Sequence, residues 1–473
     1  MKQFLFSIIL LSALHVRAQV AVNASGANPA PSAMLDVNST TKGMLMPRMT
    51  ALQRKAVVAP ETGLMVFDLD RNTPYLFDGS QWRPLMFTTD KLLPLLERSN
   101  EADDPGFYGM GNAVDLWQDY AIVGAGIQKI GANTEQGAAY IYHKSNSNWL
   151  LQQKLVGPSG SPKDEFGTSV AIYNDIAVVG APGKTVLGET SAGSVYVYKR
   201  TGTTWNLLQT LISTNPQTDD VFGQCIAVSN GKIAVGAPLM DYNGLVNSGS
   251  VFLYEYLSGQ YSLVKQFKAQ LPITDGEFGS ALAMQNDRVA IGYPKYNTAA
   301  EGRIGSVNVF TYQPASGAWT EAIILAQHLQ NGMKFGAALD MDGDSIIIGA
   351  PNYDIIFGSN VEKNDIGKVE VYRLVSDSWM PVWHYDEIQI PDNRLGYRVA
   401  IHDRHLMVAG KGFHGTENTV LYERPGDYGI KYFKSPYNPM SGFGQAIAID
   451  GKTFIIGSQG ESSYGSVHFG TLE

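Results

Sequence analysis

Short apolar runs recur along most of the chain, either alternating with polar residues or continuously β-branched. Residues 164–182, DEFGTSVAIYNDIAVVGAP, show the arrangement: SVAIY (169–173) and IAVVGA (176–181) are separated by Asn174-Asp175. Two such runs joined by an Asn-Asp, Asn-Gly or Asp-Gly turn predict a β-hairpin. GSVYVYKR (193–200), a Thr-Gly turn and WNLLQTL (205–211) follow, so the unit reads as four short antiparallel strands.

The unit repeats. Its opening pair returns as Tyr108-Gly109, Phe166-Gly167, Phe222-Gly223, Phe278-Gly279, Phe335-Gly336, Leu395-Gly396 and Phe443-Gly444, at spacings of 58, 56, 56, 57, 60 and 48 residues. The closing triplet reads GAG, GAP, GAP, GYP, GAP, AGK and GSQ. Seven repeats of four antiparallel strands predict an all-β, seven-bladed β-propeller. An array of β-sandwiches would need roughly twice the period. Blades converge on the axis, where Gly180 and Ala181 let neighbouring backbones approach. Pro182 ends the strand because it donates no ladder hydrogen bond. Phe166 is expected to wedge between blades, and Gly167 to allow the turn into the innermost strand. These residues read as structural.

The units resemble FG-GAP repeats, which build the seven-bladed propeller of the integrin α-subunit head. The resemblance covers about residues 91–473 and is closest at Phe166-Gly167 with Gly180-Ala181-Pro182, at Phe222-Gly223 with Gly236-Ala237-Pro238, and at Phe335-Gly336 with Gly349-Ala350-Pro351. It implies a binding or adhesion role exercised by one propeller face.

The seventh unit ends at GSVHFGTLE (465–473), one strand short. DKLLPLLERSNEADDPGFYG, before the first anchor, is similar to WNLLQTLISTNPQTDDVFG of the second unit. Residues 91–97 are therefore expected to complete the last blade and clasp the two ends of the propeller.

Residues 19–88 do not repeat the unit and read as a small, mostly-β module. LDV (35–37), GMLMP (43–47), GLMVFDLD (63–70), YLFDG (75–79) and WRPL (82–85) are strand candidates, and Thr50 is placed to cap a short helix over 51–58. The segment resembles one that precedes diverse domains in secreted Bacteroidetes-type proteins, and parts of phage tail-fibre-like proteins. That implies an assembly module and a possible oligomer.

Residues 1–18 have the layout of a signal peptide: Lys2, an apolar stretch from Phe4 to Leu14, then Val16 and Ala18 before an expected cut after Ala18. A secreted or cell-surface protein is expected, with no transmembrane segment. Charged residues are 17% and the formal net charge is −9, which argues against nucleic acid as a partner. The single cysteine, Cys225, excludes an intrachain disulfide and reads as a small buried residue.

No catalytic motif emerges, and an enzyme is not expected. Asp-Glu pairs such as Asp164-Glu165 recur at equivalent points and read as loop residues; His402 and His405 flank Asp403 in a solvated turn. Integrin-type propellers hold calcium in a D-x-D-x-D-G loop between the first two strands. The nearest approach here is Asp340, Asp342 and Asp344, whose spacing departs from that loop. A plain Asp-Gly turn and no cofactor are expected, with calcium at Asp340, Asp342 and Asp344 as the alternative reading.

The loops between second and third strands, 126–137, 182–192, 238–248, 294–304, 351–366, 411–418 and 458–464, share one face with the connections between blades. They carry Tyr242, Tyr296, Tyr353, Phe357, Phe413 and Tyr464, beside the acids Asp164, Asp219, Asp275 and Glu277. Aromatics on loops held by a rigid scaffold suit recognition of an extracellular protein or glycan. A carbohydrate-binding lectin is the alternative reading, and a polysaccharide-directed enzyme a further one.

Overall fold

The computed structural model describes residues 20–23, 28, 32–69, 73–77, 79, 82–84, 97–99, 109–146, 148–298, 302–357, 360–363, 365–385, 394–403, 405–410, 419–423, 431–434, 442–459 and 465–471. The chain divides into two compact units, Met1–Phe87 and Thr88–Glu473. The expected leader lies outside the described residues.

In the second unit the described residues form seven four-stranded antiparallel sheets. Blade 2 is Ser169–Tyr173, Ile176–Ala181, Ser194–Thr201 and Thr204–Leu211, paired in that order. The first strands of the seven blades are Ala113–Trp117, Ser169–Tyr173, Cys225–Ser229, Leu282–Gln285, Ala338–Asp342, Arg398–His402 and Phe443–Asp450. Each touches the next, and the seventh touches the first, so the ring closes.

Seven hydrophobic clusters fill the seven interfaces between blades, and each contains the anchor residue of one blade. Phe166 lies between blades 1 and 2, Phe222 between 2 and 3, and Phe278 between 3 and 4. Phe335, Leu395 and Phe443 follow in the next three interfaces. The last cluster contains Met110, not Tyr108. The first anchor is thus Met110-Gly111: the Gly111 N–H donates to Gly124 O at 2.9 Å, as Gly167 N–H does to Gly180 O at 2.8 Å. Tyr108 lies outside the described residues. An apolar wedge suffices at this position, and an aromatic ring is not required.

The closing glycines are a steric requirement. A Cβ on Gly180 would stand 2.2 Å from Gly223 O, one on Gly349 2.0 Å from Gly396 O, and one on Gly457 2.1 Å from Gly111 O. A second glycine, just before the third strand of six blades, does the same. Gly193 has φ +86°, and a Cβ there would meet Phe222 O at 2.1 Å. Six blades therefore lean two glycines on the anchor of the next, while blade 6 has Ala409 at the first of these positions and no glycine directly before Thr419.

The last blade is completed from the start of this unit. Val467–Phe469 pairs antiparallel with Glu97–Ser99. Glu97 belongs to the expected segment 91–97, of which 91–96 lie outside the described residues. Trp149 stacks on Phe469 across the same closure, with ring centroids 4.6 Å apart. Outer strands are braced as well: Gln153 donates to Trp205 O at 2.9 Å and accepts from Trp205 N–H at 2.8 Å. Gln209 repeats this with Tyr261.

In the first unit, Arg48–Met49, Met65–Asp68, Thr73–Phe77 and Trp82–Pro84 form a four-stranded sheet, and Val20–Asn23 pairs parallel with Leu35–Asn38. The helix is shorter than expected, Ala51–Lys55, with Thr50 and Gln53 forming a reciprocal capping box. GMLMP (43–47) forms no strand; its exposed Met44 and Leu45 have no sheet face to pack on. The interior holds an ion pair. Arg54 Nε lies 2.8 Å from Asp68 Oδ2, and the guanidinium sits 3.7 Å above the Tyr75 ring.

Gly180→Ala tests the pinch at the axis. Forcing a methyl into so close-packed a site is expected to cost about 1–3 kcal/mol, read as a lower urea midpoint with an unchanged slope. An unaltered midpoint would show that the blades separate there at no cost.

Candidate functional site

Two cavities run along the propeller axis and share one belt of side chains. Val114, Val170, Ile226, Leu282, Leu339, Val399 and Ile447, one from each blade, line both. On the loop side of this belt is a cavity of about 470 Å³. On the other side, towards the hairpins joining first and second strands, is one of about 310 Å³.

The hairpin-side cavity holds the charge. Asp115, Asp340, Asp342, His402 and Asp450 line it, with the Trp117–Tyr173 ring pair on its rim. These carboxylates act as braces between blades. The innermost strands have a free edge, and its N–H groups need acceptors. Asp115 accepts from Leu116 N at 2.9 Å and from Ile172 N of the next blade at 2.8 Å. Asp340 accepts from Met341 N and from Ile401 N of the next blade, both at 2.8 Å. Asp342 accepts from Asp403 N at 2.6 Å, and Asp450 from Gln118 N. His402 Nδ1 lies 3.3 Å from Asp450 Oδ1. The nearest sequence approach to a calcium loop is thus divided among separate partners, with Asp344 bound to Arg288 at 2.8 Å. Among the described residues no three His, Cys, Asp or Glu side chains converge as a metal site.

Burial dominates the electrostatics. It pushes the Asp115 carboxyl up to about 7; the two N–H donors pull the other way, and Asp340 and Asp450 add to the rise. Asp340 is pushed up to about 6, again by burial first, against its own N–H donors.

The loop face differs from a row of free aromatics and acids. Tyr296 and Tyr353 are half-buried and pack on the cores of neighbouring interfaces. Tyr242 is half-buried with Lys268 Nζ 3.8 Å above its ring. Phe357 is the last residue of strand Ile355–Phe357, which pairs with Asn360–Lys363. Phe413 and Tyr464 lie outside the described residues. Asp164 is buried, pairs with Lys184 at 2.9 Å and accepts from Ser161 N at 2.8 Å. Glu277 pairs with Lys295. Asp275 accepts from Asn247 Nδ2 at 2.9 Å, and Asp219 is exposed. The counterpart of Asp164 in blade 3 is Asp220, the second member of the Asp219-Asp220 pair. It is buried, accepts from Gln217 N at 2.9 Å, and burial raises it to about 6.

Three of the loops share a form invisible in their varied sequences. Ile130 bridges Asn133, Val186 bridges Glu189, and Tyr242 bridges Leu245, so each loop is a small hairpin. Beside or at their tips stand Leu187, 84% exposed, and Val246, 50% exposed. Cys225, expected to be buried, is half-buried on the loop-side cavity and donates to Ser280 O.

The raised carboxyls set a pH dependence. Asp115 and Asp340 bind a proton more tightly folded than unfolded, where the ordinary value is 3.8. Their contribution to stability is full below about pH 4 and is lost as pH rises through about 6 to 7. At the same position the other five blades carry Ala171, Ala227, Ala283, Ala400 and Ala448. Asp115→Ala combined with Asp340→Ala is expected to flatten the fall in melting temperature between pH 5 and 8, followed by calorimetry. A slope as steep as that of the parent chain would refute the assignment.

Residues 149–198 and 205–254 match the FG-GAP repeat family. Residues 23–99 match a phage tail like trimerisation region. No curated protein matches the chain. Among the described residues no helix is long and apolar enough to cross a membrane. The chain thus resembles FG-GAP repeat proteins in its propeller and tail-like trimerisation segments in the unit ahead of it.

Proposed function

We propose that this is an exported, non-enzymatic binding or adhesion protein that presents the loop face of its propeller to an extracellular protein or glycan. The observation carrying the reading is the set of braced hairpin loops on a closed ring, with Leu187 and Val246 standing exposed. Rigid loops lose little conformational freedom on binding, and exposed apolar tips supply contact area. The carboxylates that an enzyme would use are engaged as braces and ion pairs. Export rests on the leader-like residues 1–18 and on a repeat type typical of extracellular proteins.

The N-terminal unit is proposed to join three copies of the chain. Among the described residues its interior holds the Arg54–Asp68 ion pair, Val66 and Tyr75, while Leu45, Leu52 and Val58 are 79%, 78% and 90% exposed. So small a unit leaving its large aliphatic residues outside suits burial against other copies. The match to a trimerisation region supports the number three.

Two outcomes are expected. Leu187→Asp with Val246→Asp should lower affinity for a captured partner at least tenfold, with an unchanged melting curve; retained affinity would move the contact off these loops. Tyr296 and Tyr353 are poor choices for this test because their rings belong to the core. Sedimentation equilibrium should give a trimer for the parent chain and a monomer for Leu45→Asp, Leu52→Asp, Val58→Asp together. A monomeric parent would refute the assembly.

A further inference from the structure

Position by position, the first strands contain one residue that the repeat does not explain. Six blades carry a small residue where this strand leaves the loop face: Ala113, Ser169, Cys225, Ala281, Ala338 and Ala446. Register identifies the position, since Ala113, Ser169, Cys225, Ala338 and Ala446 each pair with the closing glycine of their own blade. In blade 6 the residue at this position, paired with Ala409, is Arg398. Packing requires nothing so large, because the other six interfaces close without it.

Arg398 lines the loop-side cavity of about 470 Å³. Its guanidinium lies 4.3 Å from the Tyr397 ring centroid, and Nη1 donates to Tyr397 O at 2.9 Å. Among the described residues no carboxylate forms an ion pair with it, and no acid lines this cavity. The other polar groups at this mouth are neutral, among them Gln224, Gln445 and Gln459. Gln445 Nε2 lies 3.4 Å from the Tyr397 hydroxyl. The aliphatic belt closes the floor.

We infer that this axial cavity binds a carboxylated sugar residue of the uronic-acid class, with its carboxylate on Arg398. A half-buried planar guanidinium without an acid partner among the described residues favours a planar anion. Side-chain amides both donate and accept, as adjacent sugar hydroxyls do. That preference separates a sugar acid from an acidic peptide, which would need the guanidinium but not three amides. The volume falls within the roughly 300–1,000 Å³ of small-ligand sites. The inference rests on the loop face being the recognition face and names a ligand class for its centre.

The test is calorimetric titration of the full chain with glucuronic acid and galacturonic acid, beside glucose, acetate and a short glutamate-terminated peptide. A uronic acid is expected to bind at least tenfold more tightly than glucose, acetate or the peptide. Arg398→Ala, which restores the residue of the neighbouring blades, should lose that preference at least tenfold while melting as the parent does. Equal affinity for uronic acid and glucose, tighter binding of the peptide, no binding of any probe, or an affinity untouched by Arg398→Ala would each overturn the inference. The Leu187→Asp, Val246→Asp chain is titrated in parallel. Uronic-acid binding unchanged in that chain while partner binding is lost supports a cavity separate from the loop tips. Partner binding retained by Arg398→Ala, in a chain that never binds uronic acid, overturns the cavity and leaves the loop face standing.

Discussion

The structure depends on how closely two backbones can approach at the axis. Six of the seven blades bring a glycine Cα against the carbonyl of the next blade's anchor glycine, leaving no room for a Cβ, and blade 6 has Ala409 there. Gly180 on Gly223 and Gly349 on Gly396 are instances on opposite sides of the ring. That approach sets how tightly the first strands converge, and so how wide the axial cavities are. It also positions the wedge residues, from Phe166 to Met110, in the seven interfaces where the apolar surface is buried. Packing density at the rim follows from contact at the centre.

Convergence creates a polar problem, because the innermost strand of every blade has an unpaired edge. The chain answers with side chains. Asp115, Asp340, Asp342 and Asp450 reach across to N–H groups of the following blade, and Ser169 Oγ donates to Gly223 O at 2.6 Å. Burial at this end of the axis raises Asp115 to about 7 and Asp340 to about 6, with neighbouring carboxylates adding to the rise. Acids in a repeat are therefore poor guides to catalysis or metal binding until their backbone partners are known. The loop-side end has neutral amides and one guanidinium. The two ends of the axis thus differ in sign and in purpose.

The propeller was legible because its period, its anchors and its turn residues agree. Strand positions in blade 2 fall where SVAIY, IAVVGA and GSVYVYKR place them. Anchor one was misplaced because Tyr108-Gly109 looks more like the motif than Met110-Gly111, whereas the interface asks only for an apolar wedge. The described part of the completing strand is Glu97–Ser99, and the leucines ahead of it lie outside the described residues. The glycine before the third strand of six blades leaves no local signal, because its role is contact with another blade. The site was less legible. Tyr296 and Tyr353 lie in loops by sequence and in cores by contact. Arg398 becomes conspicuous only once register aligns it with Ala113, Ser169 and Cys225.

The last blade borrows its outer strand from the beginning of the same unit, and this orders events during synthesis. Six blades can form from neighbouring residues, but the seventh must wait for Val467–Phe469 to find Glu97–Ser99, more than three hundred residues earlier in the chain. Contacts of such sequence separation form late and slow the final step of folding. Until then blade 1 exposes the apolar face that later covers Phe469, which is the interval in which a nascent copy is most exposed to aggregation.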